Sequence, residues 1–107
     1  MNKIVRRTSL LLLALLTLQV TASDHVVSQK GKAFFPLKMT VKVGESVTFM
    51  NDDPFSHNVF SLSDTKSFDL GSYGQGQGKS VLMDKPGIVE IECAVHPDMK
   101  MQVEVVR

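Results

Sequence analysis

Apolar and polar residues alternate with a period of two along much of this chain. Thr40-Val41-Lys42-Val43 and Ser46-Val47-Thr48-Phe49 alternate on either side of Gly44-Glu45, which predicts a hairpin or a bent strand pair around a Gly-Glu turn. In Ile88-Val89-Glu90-Ile91-Glu92-Cys93, Val89, Ile91 and Cys93 share one face while Glu90 and Glu92 share the other, so the thiol is expected to point into the core at a strand end. Gln102-Val103-Glu104-Val105 repeats the pattern and closes the chain. Shorter strands are expected at Val26 to Gln29, Asn58 to Leu62 and Lys79 to Met83. Pro36, Asp52-Asp53-Pro54, Gly71 to Gly78 and Pro86-Gly87 punctuate them as loops and turns. Phe34, Phe35, Phe49 and Phe60 are expected in the core. No internal repeat or long helical periodicity is present, so a small antiparallel sandwich or barrel is predicted.

The first 22 residues follow a different rule. Lys3, Arg6 and Arg7 precede an apolar block from Leu10 to Leu18, and Val20-Thr21-Ala22 supplies small or tolerated residues for a peptidase. This is the layout of a secretory signal peptide. The block is about half the ~20 residues a spanning helix needs, so no stable membrane insertion is expected after cleavage. Two units are therefore expected, a leader over 1–22 and one domain over 23–107. Cleavage removes three of the twelve Lys and Arg residues and none of the eleven Asp and Glu residues, leaving a net charge of −2. With charges of both signs interspersed, nothing favours nucleic acid as a partner.

Cysteine usage sharpens the picture. Small exported domains are often stapled by disulfides, which need cysteines in pairs. Cys93 is the only cysteine, and an unprotected thiol in an oxidising compartment invites oxidation. A buried inert thiol, a nucleophile and a metal thiolate are the three readings. The neighbours favour the metal: Cys93, His96 and Met99 lie within seven residues, and His57 sits beside another strand-like segment. Two His, a Cys and a Met form the donor set of a trigonal copper site with a weak axial sulfur. Zinc fits poorly, because Met is a poor zinc ligand. A nucleophilic role is disfavoured because no helix N-terminus or adjacent base would lower the thiol pKa. The Gly74 to Gly78 run lacks the four-residue spacing before Gly-Lys-Ser/Thr of a phosphate loop, and no helix pattern follows it.

Thr40 to Asn51, His57-Asn58-Val59 and Pro86 to Met99 together resemble the cupredoxin family of type 1 blue copper proteins, over about Ala33 to Arg107. The Cys-x2-His-x2-Met loop is similar to the short ligand loop of its amicyanin-like members; Met101 in place of Met99 would resemble the longer plastocyanin-like loop. Met101 shares the parity of Val103 and Val105, which assigns it to the last strand and leaves Met99 as the favoured axial residue. The resemblance implies a Greek-key β-sandwich of about seven to eight strands. It implies one copper held by His57, Cys93, His96 and Met99, with Asn58 tying the ligand loops together. It further implies a monomeric, periplasmic or otherwise exported electron carrier, not an enzyme, serving partners such as a c-type cytochrome or a dehydrogenase. A copper chaperone or store on the same fold is the alternative. His25 is expected to be a solvated tail residue, and Asp52-Asp53 to be turn chemistry ahead of Pro54.

Overall fold

The computed structural model describes residues 24–107; the expected leader lies outside them. Nine strands follow one another: β1 (Asp24–Gln29), β2 (Phe34–Phe35), β3 (Lys38–Lys42), β4 (Glu45–Asn51), β5 (His57–Ser63), β6 (Lys66–Tyr73), β7 (Gly78–Met83), β8 (Gly87–Cys93) and β9 (Lys100–Val106). They form a four-stranded sheet ordered β2-β1-β4-β7 and a five-stranded sheet ordered β3-β9-β8-β5-β6. The expected all-β sandwich is what forms, with no helix among the described residues.

The sheets are mixed, not purely antiparallel as expected. β1 runs parallel to β4, and β3 parallel to β9. Alternation reports which face a residue takes but carries no information about the direction of the neighbouring strand. Of the hairpin and the bent strand pair expected around Gly44, the hairpin does not form. β3 pairs with β9 in one sheet, while β4 pairs with β1 and β7 in the other. Gly44 takes φ +97, a conformation that favours glycine. Its N–H donates to Met83 O at 2.8 Å, and the Val43 N–H donates to Val106 O at 2.8 Å. The link is a corner that carries the chain between layers.

Strand β6 falls where no strand was expected, and its end occupies part of the expected Gly71 to Gly78 loop. The pairing of β5 with β6 shifts register between Asn58 and Phe60: Phe60 opposes Asp69, but Asn58 opposes Ser72. One extra residue on β6 makes a bulge around Gly71, whose φ is +74 and whose N–H donates to Asp69 Oδ1 at 2.8 Å. The bulge switches the inward parity from Phe68 and Leu70 to Tyr73, so no single alternation runs through the strand.

Between the layers lie Val27, Val47, Phe49, Val81 and Met83 from one sheet and Val41, Val59, Val89, Ile91, Val103 and Val105 from the other. Phe34 meets Phe49 edge-on, with centroids 6.4 Å apart. Both rings are fully buried, contributing about 1.5–3 kcal/mol each by transfer from water. Phe35, by contrast, is 57% exposed, and Phe60 is only half-buried on the outer face. Both depart from the expected core. For function, the decisive pairing is β5 against β8, in which Val59 opposes Cys93. Two strands remote in sequence thereby bring the start of β5 and the end of β8 to one edge of the sandwich.

Candidate metal centre

Cys93 ends β8 and His57 opens β5, so both are anchored in hydrogen-bonded sheet. Between β8 and β9 the chain folds back on itself. The Met99 N–H donates to His96 O at 2.9 Å, and the Cys93 N–H donates to Met99 O at 3.2 Å. The Ala94 N–H donates to Asn58 O at 3.2 Å, tying this turn to β5. These bonds bring the His96 ring over the other two side chains. Cys93 Sγ lies 3.8 Å from His57 Nδ1 and 3.7 Å from His96 Nδ1, and the two Nδ1 atoms are 3.2 Å apart. A point equidistant from the three donors is about 2.1 Å from each, within the ~2.0–2.3 Å of a bond from a first-row metal to nitrogen or sulfur.

His57 is held from behind. Its Nε2 lies 2.6 Å from Asp53 Oδ2, and both side chains are buried, at 0% and 5% exposure. A carboxylate only accepts, so Nε2 carries the proton and Nδ1 presents its lone pair to Cys93 and His96. Asp53 also accepts from the Gly31 N–H at 2.7 Å and the Lys32 N–H at 3.1 Å. Burial disfavours its charge, but these donors, led by His57, outweigh burial and hold its carboxyl below the usual carboxylate range. Asn51 shapes the same loop. Its side-chain amide donates to Phe55 O and Tyr73 O, each at 2.9 Å, while its Oδ1 accepts from the Asp53 N–H at 2.8 Å. Tyr73 in turn donates to Phe49 O at 2.8 Å, and burial pushes its phenol up to about 12.

The other side of the site opens outward. Phe55 packs on both imidazoles, with ring centroids 5.4 Å from His57 and 5.6 Å from His96, and is 39% exposed. A recess of about 360 Å³ is lined by Lys32, Val95, His96, Pro97, Asp98 and Met99. Partial burial, reinforced by His57 and Lys32 nearby, lowers the His96 pKa from its ordinary value. Met99 is buried just ahead of β9. Met101 opposes Ile91 within β9 and belongs to the core.

Several residues take places the chain pattern does not disclose. Asn58 joins the two loops through its main-chain carbonyl, while its side-chain amide is directed at Asp69 Oδ1, 3.5 Å away. His25 is not a tail residue: it lies in β1 with Nε2 2.9 Å from Glu45 Oε1. Asp52 accepts from the Ser28 hydroxyl of β1, a contact across the sheet and not one within a turn. Asp53 does more than turn chemistry, and its one sequence signal is an acid four residues before a candidate ligand histidine. Such histidines commonly donate their second N–H to a carboxylate or carbonyl.

Fold and donor set together define a copper-binding β-sandwich, since thiolate and thioether beside two imidazoles suit copper. The chain matches the family of copper binding proteins of the plastocyanin/azurin type over residues 21–106, and it belongs to that family. It is 29% identical over 84 residues to a plastocyanin of Ulva arasakii, covering 68% of this chain and 86% of that protein. It is 32% identical over 78 residues to a chloroplastic plastocyanin of Physcomitrium patens, a match that takes in 64% of this chain and 46% of that protein. Among solved structures, a Cu(I) amicyanin variant superposes with a TM-score of 0.72 at 23% identity, over 81% of this chain and 86% of that one. A purple cupredoxin from Nitrosopumilus maritimus gives 0.68 at 23% identity, over 77% and 99%. A copper-containing nitrite reductase from Thermus scotoductus gives 0.76 at 24% identity, over 82% of this chain but 23% of that one. These structural likenesses are of fold.

Proposed function

We propose that this chain is an exported blue copper protein that carries single electrons between redox partners and is not itself an enzyme. His57, Cys93, His96 and Met99 would hold the copper, the first three through the clustered Nδ1 and Sγ atoms. The observation that carries the reading is the ready-made triangle of two Nδ1 atoms and one Sγ, sized for a metal at its centre. Copper bound there supplies a one-electron Cu(II)/Cu(I) couple.

The residues supply the rest. Sulfur donors favour Cu(I) and imidazoles serve both states. Sheet-anchored Cys93 and His57 resist rearrangement, and burial of Cys93 at 2% exposure keeps water from the sulfur. His96 is the ligand nearest the surface, and exposed Phe55, which packs on its ring, forms an apolar rim around it with Val95 and Pro97. Such a rim suits a small, brief contact of less than ~1,200 Å² with a c-type cytochrome or a dehydrogenase. A metal on the lone thiol would also protect it in an oxidising compartment.

Adding Cu(II) to the purified protein should give the intense visible absorption of a copper–thiolate bond, and Cys93→Ser should abolish it. A colourless complex, or colour that survives Cys93→Ser, overturns the proposal. Reversible electron exchange with a small c-type cytochrome supports the carrier; a chain that holds copper but exchanges no electrons is a store.

A further inference from the structure

We infer that Asp53 is a positioning residue of the metal centre, a buried anion that locks His57 for binding and biases the site toward Cu(II). The inference rests on the copper reading above and adds a residue that coordinates nothing.

Every contact of the Asp53 carboxylate is with a donor. His57 Nε2 lies at 2.6 Å, the Gly31 N–H at 2.7 Å and the Lys32 N–H at 3.1 Å. An acceptor-only setting of this kind belongs to an ionised carboxylate. The Asp53 side chain is buried, so its charge is poorly screened toward the far side of the imidazole, where Nδ1 faces Cys93 and His96. A divalent ion at that face interacts with the anion more strongly than a monovalent one. The oxidised state is therefore favoured over the reduced one.

The brace also reaches across the sandwich. Gly31 and Lys32 lie in the turn between β1 and β2, which is closed by reciprocal bonds between Lys30 and Ala33 at 2.9 and 3.2 Å. His57 opens β5, in the opposite sheet. Asp53 thus fixes the ligand ring against a part of the fold that contributes no donor to the metal.

The test compares wild-type full-length protein with Asp53→Asn, each loaded with copper. Asp53→Asn keeps the size of the side chain and removes its charge. It should weaken Cu(II) binding by about 10- to 100-fold, the usual effect of losing a partner of a ligand histidine, and Cu(I) binding by at least tenfold less. Each tenfold of that difference raises the reduction potential by about 59 mV. A residue that merely holds the fold would lower the urea midpoint and leave the ratio of the two affinities unchanged; a ratio within twofold of wild type overturns the inference. A second measurement needs no variant. In the diamagnetic Cu(I) form, the His57 Nε2 proton should be seen by NMR far downfield and exchange slowly. Its absence, or exchange as fast as that of the His96 ring N–H, overturns the inference as well. Wild-type protein that forms no copper–thiolate colour removes the copper reading and this inference together, whereas blue protein with an unchanged affinity ratio removes the role of Asp53 alone.

Discussion

Two loops carry the metal centre, and they are built on opposite plans. The loop from Asn51 to His57 is cross-linked at nearly every turn: Asn51 bonds three main-chain groups, and Asp53 bonds the β1–β2 turn as well as His57. The loop from Cys93 to Met99 has three main-chain bonds and leaves Val95, Pro97 and Asp98 exposed. One imidazole is therefore sealed and oriented by the protein, while the other sits under a thin apolar rim within reach of a visitor. Rigidity at one ligand and access at the other are separate requirements, and this chain assigns them to separate segments.

The contrast can be broken most forcefully at Asn51. Asn51→Ala removes three hydrogen bonds at roughly 1 kcal/mol each, an expected loss of about 3 kcal/mol in urea denaturation. Asp98→Ala in the open loop should stay within about 0.5 kcal/mol of wild type. Comparable losses in the two would erase the distinction. Next in size, Met99→Gln should keep copper bound while shifting the spectrum and favouring Cu(II) roughly tenfold, a fall of about 59 mV in a voltammogram. The same substitution at Met101, inside β9, should act on stability instead.

The open side is tested by charge. Val95→Asp places an anion on the exposed rim, so two approaching copies repel and electron self-exchange should slow several-fold at low salt, recovering as salt is added. Stability should not change. The smallest effect is expected far from both loops, where Glu45 accepts from the Lys42 N–H and from His25. Those bonds, the Lys42 one foremost, lower the Glu45 pKa from 4.5. Its contribution is thus fully present above that value and lost as pH falls through the lower folded-state value. Glu45→Gln should flatten the acid side of the urea-midpoint profile slightly and leave the visible spectrum alone.

How much of this was legible depended on whether a residue's role was set by its own strand. Inward placement of Cys93 and Met101 followed from alternation in β8 and β9, and both are buried there. Strand β6 was hidden because the bulge at Gly71 shifts its parity midway. The corner at Gly44 reads as a hairpin or a bent strand pair alike, because both leave identical local patterns. The approach of His57 to Cys93 needed the β5–β8 pairing, which skips two intervening strands and leaves no local trace. Asp53 was legible only as a turn residue, since its other partners, Gly31 and Lys32, lie more than twenty positions upstream.

The parallel pairing of β3 with β9 joins the two paired strands that lie farthest apart in the sequence. Lys38 lies beside Gln102, and Lys42 beside Val106, so this contact spans most of the described chain and is slow to find. β9 also lies between β3 and β8, and the turn carrying His96 and Met99 is fastened only when β9 is in place. Cys93, His96 and Met99 are thus gathered by the β8–β9 pair, while His57 reaches them only through the pairing of β5 with β8. A chain in which β5 is not paired with β8 has three of the four donors in one turn and lacks the fourth, so the closed triangle of His57, Cys93 and His96 needs both pairings.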